Sequence, residues 1–129
     1  MRNYVSRFQS ELHIYTGTLG QLTYKNKPLF LTQDDHGKPV IRVPEFFWKI
    51  VQSPSLNQAI VFIGLNNPAA THATQICPDI CVSAHWSFPS RQDATKGFLY
   101  CCSYQDFKRV VTWAPNLSSG CRVLQNVLV

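Results

Sequence analysis

Two apolar runs, 46–51 (Phe46-Phe47-Trp48-Lys49-Ile50-Val51) and 59–65 (Ala59-Ile60-Val61-Phe62-Ile63-Gly64-Leu65), constrain the fold more than anything else in the chain. Both are short and rich in aromatic and branched residues, which fit a pleated sheet better than a helix. The polar Gln52-Ser53-Pro54-Ser55 between them reads as a turn, so the runs are expected to pair as adjacent antiparallel strands. Period-two alternation puts Trp48 and Lys49 on opposite faces. Phe46, Phe47 and Trp48 have the composition of a base-stacking platform. With Ile50 and Val51 beside them, they are read as a core strand with an alternate outward face, Lys49 pointing to solvent or to a phosphate.

The flanking sequence predicts short elements. Residues 2–10 read as an amphipathic helix, with Tyr4, Val5 and Phe8 on one side. Residues 12–16 alternate as a strand, punctuated at its exit by Gly17 and Gly20. Residues 21–24 and 29–32 are expected as strands around a turn at Asn26-Lys27-Pro28. A turn at 34–38 leads to a strand near 40–43. Residues 68–97 are irregular, a length unusual in a small domain unless the stretch is stapled or functional. Ser103 and Asp106 have capping-box spacing, and Tyr104, Phe107, Val110 and Val111 follow at helical intervals, so a helix is expected over 104–113. Pro115 ends it. Residues 117–129 read as a tail with no clear role.

The staple is supplied by cysteines. Four of the five fall in Cys77-x3-Cys81 and Cys101-Cys102. An adjacent pair rarely bonds to itself, because the ring so closed is small and strained. Each is expected to pair outward, to Cys77 and Cys81, in either of two connectivities. Loops of about 20–25 residues closed in this way stabilise by roughly 3 kcal/mol each in the chain-entropy account. Zinc is the rival reading, but adjacent cysteines make poor joint ligands. Cys121 is left over. This cysteine usage fits an oxidising compartment, as does the glycosylation sequon Asn116-Leu117-Ser118 more weakly.

The chain carries twelve Lys/Arg against seven Asp/Glu, a net charge of +5, scattered rather than clustered. That balance suits a polyanionic partner without specifying one. No stretch reaches the roughly 18 apolar residues of a membrane-spanning helix, and no membrane partner is expected. Residues 1–8 show no apolar export signal. Beside secretory-style cysteines, this is read as a domain whose N-terminal part is absent. His13, His36, His72 and His85 lie at no recognised ligand spacing and are read as ordinary strand, turn or loop residues, as is the Asp34-Asp35 turn.

Taken in order, several phrases resemble the second half of the DNA/RNA non-specific endonuclease family, in its arthropod secreted branch. They are Ile14-Tyr15-Thr16-Gly17-Thr18, Val43-Pro44-Glu45-Phe46-Phe47-Trp48-Lys49-Ile50-Val51, and 59–68. Ile76-Cys77-Pro78-Asp79-Ile80-Cys81, Tyr100-Cys101-Cys102 and Asp106-Phe107-Lys108-Arg109 complete the set. The resemblance covers about residues 1–114. It implies an α+β class: a partial ββα-metal nuclease fold, mainly antiparallel sheet with a C-terminal helix and disulfide-stapled loops. The domain portion is taken as 1–116, followed by the tail 117–129.

The resemblance further implies Mg²⁺-dependent phosphodiester hydrolysis of DNA and/or RNA, outside the cell. In the family a histidine of an Asp-Arg-Gly-His motif activates water, and an asparagine holds the metal. Neither motif nor ligand is in this chain. Arg2 alone matches a family active-site position, with phosphate contact as its implied role. The expectation is a scaffold portion inactive by itself, its partner being the missing N-terminal half of the domain. The alternative is a short secreted non-catalytic module that binds nucleic acid or another polyanion.

Overall fold

The computed structural model describes residues 11–20, 23–24, 27–28, 35–36, 43–66, 75–86, 98–117 and 120–125. Its elements are β1 (His13–Leu19), β2 (Thr23–Tyr24), β3 (Lys27–Pro28), β4 (Phe46–Ser53), β5 (Gln58–Leu65), β6 (Leu99–Cys102), α1 (Tyr104–Val110) and β7 (Arg122–Val123). The class is α+β, mostly antiparallel sheet with one helix among the described residues.

The two apolar runs form β4 and β5, the central hairpin, in a register that sets Trp48 opposite Ile63 and Ile50 opposite Val61. Their turn closes with the Asn57 N–H donating to Pro54 O at 3.3 Å. Asn57 takes φ 49° there, a left-handed conformation that asparagine tolerates better than most residues. β1 and β6 flank the hairpin in the order β1-β4-β5-β6, all antiparallel. β7 runs parallel to β5 at Gln58 and Ala59. Since β4 occupies the other edge of β5, β6 and β7 share one edge end to end.

Both faces of this sheet are covered in part. One buries Phe46, Trp48, Ile50, Val61 and Ile63 against Phe107 and Val111 from α1 and its C-terminal cap. The other buries Val51, Ile60 and Phe62 beneath Ala84 and Leu124. The helix starts as its sequence requires: the Ser103 hydroxyl accepts from the Asp106 N–H, satisfying one orphan donor of the first turn. It stops at Val110, three residues short of the expected end. The run Val110-Val111-Thr112 is β-branched and stiff at χ1, and the following Pro115 disfavours helical geometry at Ala114.

The disulfides explain how residues 76–86 stay ordered. Adjacent Cys101 and Cys102 point to opposite faces of β6. Cys81 bonds Cys101 and Cys77 bonds Cys102, so the segment between Cys77 and Cys81 straddles the outer edge of β6. Ile80 N–H donates to Cys101 O at 2.9 Å, and the Asp79 carboxylate accepts from the N–H groups of Cys81 and Cys101. The strand edge is thereby hydrogen-bonded rather than left open for another chain. The grouping of Asp79 with Cys81 and Cys101 has its two sulfurs bonded to each other, so these cysteines take the disulfide reading.

Three local expectations change. β1 runs through Gly17 to Leu19 instead of ending there, because Trp48 lies over Gly17 and the missing side chain makes the pairing possible. Lys27-Pro28, expected in a turn, instead form a strand paired antiparallel with Thr23-Tyr24. Within the stretch read as a tail, Arg122–Val123 joins the sheet and Leu124 is fully buried. The expected helix over 2–10 and the strands over 29–32 and 40–42 lie outside the described residues.

Candidate nucleic-acid interface

Among the described residues, the face of the sheet away from α1 is covered at one end only. Cross-strand register places Thr16, Lys49, Phe62 and Cys101 in one row across that face, and Thr18, Phe47, Gly64 and Leu99 in the next. Rows two residues apart are separated by about 6.5–7 Å along the strands. Gly64 sits between Phe47 and Leu99, and its lack of a side chain leaves a depression in an otherwise filled surface. The result is a groove of about 640 Å³ whose charged lining residue, among those described, is Lys49. Phe47 is 47% exposed there, although its neighbours Phe46 and Trp48 are buried in the core.

Trp86 forms a fixed wall of this groove. Its ring meets Phe62 edge-on at 5.3 Å, and its indole N–H donates to Leu124 O at 2.9 Å. The preceding His85 has φ 63°, and Trp86 N–H closes the turn onto Cys81 O. The disulfide-anchored segment and the chain's last described strand thus converge to hold one aromatic ring in place. Sequence reading missed this group. Its one usable signal was Gly64, an isolated glycine inside an apolar strand pattern, which marks a close approach or a gap.

The ionisable groups show no catalytic arrangement among the described residues. Burial raises the Tyr100 phenol above its usual range, opposed by the hydrogen bond it accepts from Ile76 N–H. Burial alone raises the Cys121 thiol. His13 contacts the exposed Glu11 at 3.4 Å. His36 and Asp35 lie exposed in a turn, and His85 is exposed. His72 and Asp34 are outside the described residues.

Arg2 also lies outside the described residues. Cys77, Cys81, Cys101 and Cys102 are brought together as the two disulfides. Asn116 is exposed beyond α1, on backbone fixed by Tyr104, whose hydroxyl donates to Pro115 O and accepts from Leu117 N–H. Ser118 of its sequon is outside the described residues.

Comparison with known proteins adds what the geometry alone leaves open. Residues 1–107 match the DNA/RNA non-specific endonuclease family model. The salivary protein Tsal2A of Glossina morsitans morsitans is 34% identical over 112 residues, covering 83% of this chain and 28% of that protein. The salivary endonuclease of Lutzomyia longipalpis is 31% identical over 110 residues, covering 83% of this chain and 27% of that protein. The chain therefore spans less than a third of the length of these relatives. No solved structure matches it. With most of its length matched, from the residues before β1 into α1, the chain belongs to the DNA/RNA non-specific endonuclease family.

Proposed function

We propose that this chain is the scaffold portion of an extracellular, Mg²⁺-dependent endonuclease that cleaves DNA or RNA without sequence preference, and that alone it is inactive. One observation carries the reading. The family match runs through β1, β4, β5 and the cysteine segments, yet Asp-Arg-Gly-His occurs nowhere in the sequence. A hydrolase of this kind needs a general base within hydrogen-bond reach of the attacking water and a cation beside the scissile phosphate.

The described residues do not fit Mg²⁺. That ion requires near-octahedral oxygen ligands, whereas the ligand-like grouping is one carboxylate with two disulfide sulfurs. The Asp79 oxygen is moreover already accepting two backbone N–H bonds. No catalytic step is assigned to the metal on these residues. Base and metal ligand would come from an N-terminal half of the domain, and Arg2 would contribute a phosphate contact. Two disulfides and relatives described as salivary support the extracellular setting.

The test is a chimaera in which this chain replaces the matched segment of the Lutzomyia longipalpis salivary endonuclease. A folded chimaera should cleave plasmid DNA or RNA with Mg²⁺ and stop on adding EDTA. A chimaera with native-like circular dichroism and no cleavage of either substrate would count against the scaffold reading.

A further inference from the structure

We propose that the groove over Gly64 is a nucleobase-binding subsite that takes one base of a single strand, with Lys49 meeting the adjoining phosphate. The inference rests on the nucleic-acid reading above but requires no catalysis. Phe47 and Leu99 stand on the strands either side of Gly64. Two inter-strand steps separate them, about 9.5 Å. A planar ring in contact on both faces occupies about 7 Å, so the strand spacing admits one flat ring over Gly64.

Polar groups are placed for the rest of a nucleotide. Lys49 lies one row away from Phe47 on the same face, about 6.5–7 Å along the strand, which matches the reach from a base to its backbone phosphate. Lys49 is exposed, and among the described residues no carboxylate lines the groove. Thr16 and Thr18, both exposed, supply hydroxyls on the β1 side. The groove's volume is in the range of small-ligand pockets. A net charge of +5 favours an anionic occupant over a neutral one. A duplex keeps its bases paired and stacked, so the site should prefer single strands.

The groove also offers clean variants. A Cβ at Gly64 would have Phe47 O as its near neighbour at 3.9 Å, an ordinary contact. Gly64→Val therefore fills the floor without a clash at its first atom. The experiment measures fluorescence anisotropy of a labelled oligothymidylate against the full chain in EDTA at low salt, which silences any metal-dependent cleavage.

The wild-type chain should bind, and an unlabelled duplex should compete poorly. Gly64→Val and Phe47→Ala should each weaken binding about tenfold, within the range for loss of one stacked base. Lys49→Gln should lower the slope of log affinity against log salt by about 0.7, one phosphate's worth. Arg122→Gln, an exposed cation away from the groove, should change nothing in the base-stacking component. No binding by the folded wild type would overturn the proposal, as would unchanged binding by natively folded Gly64→Val. Equal affinity for duplex would also overturn it. Self-association that Gly64→Val abolishes, without oligonucleotide binding, would assign the face to a second copy instead. None of these outcomes depends on whether the chain cleaves.

Discussion

Gly17→Ala should be far more damaging than a strand glycine normally is. Gly17 pairs with Trp48, and a Cβ placed there would lie 2.2 Å from Trp48 Cζ2, 2.5 Å from Cε2 and 2.9 Å from Cη2. Ordinary carbon contacts begin near 3.5 Å, so the indole must retreat by about 1.3 Å. It has little room to do so. Trp48 is 5% exposed, its ring stands edge-on to Phe107 at 5.3 Å, and its N–H donates to Thr18 O at 3.3 Å. Overpacking a fixed core costs about 1–3 kcal/mol, and the indole hydrogen bond adds about 1 kcal/mol if lost. Against this, Gly→Ala restricts the unfolded chain and returns about 0.4–1 kcal/mol. The net expectation is a loss of about 2–3 kcal/mol.

Urea denaturation followed by circular dichroism measures this, with Gly64→Ala as the internal control. Gly64 has space for a methyl group, so that variant should fall between neutral and about 1 kcal/mol more stable. Trp48→Leu in the Gly17→Ala background should relieve the clash, giving a coupling of at least about 1 kcal/mol in the double-mutant cycle. Gly17→Ala within about 0.5 kcal/mol of wild type, or additive energies in the cycle, would refute the contact as the reason for glycine at this position.

Replacing Cys81 and Cys101 together by alanine, or Cys77 and Cys102 together, should each lower stability by about 3 kcal/mol in urea titrations, given loop separations of 20 and 25 residues. Single replacements should leave one free thiol per chain beyond Cys121, countable with a thiol reagent after unfolding. Ser103→Ala removes the hydroxyl that caps α1 and should cost about 1 kcal/mol, while Ser103→Asp should largely retain the cap. Tyr100 and Cys121 both have raised folded-state values. Their contribution to stability is therefore complete below their unfolded values and declines as pH rises through the folded ones. Stability should fall above about pH 8.5. Cys121→Ala should flatten the first part of that fall, and an unchanged alkaline limb in Cys121→Ala combined with Tyr100→Phe would contradict the assignment.

The central hairpin and the capped helix were legible because each rests on local chemistry. Apolar β-formers around Pro54-Ser55 make a hairpin, and Ser103 with Asp106 makes a helix start, whatever lies elsewhere. The cysteine pairing was legible only to two alternatives. Alternation tells that Cys101 and Cys102 face opposite ways, but which partner reaches which face depends on how residues 77–81 cross the edge of β6. β7 was hidden because two residues, Arg122 and Val123, gain strand geometry solely from the distant Gln58 and Ala59. The groove was hidden for the same reason. Gly64 is a depression only once Phe47 and Leu99 stand on either side, and Trp86 is a wall only because Leu124 O holds its indole.

The most direct measurement is hydrolysis by the purified, disulfide-bonded 129-residue chain of plasmid DNA and of RNA, with Mg²⁺ and with EDTA. The account predicts no cleavage above buffer in either condition, from a protein that is folded by circular dichroism. Robust Mg²⁺-dependent cleavage that EDTA abolishes, retained through a second purification step, would contradict it and place the general base and metal ligand within these residues.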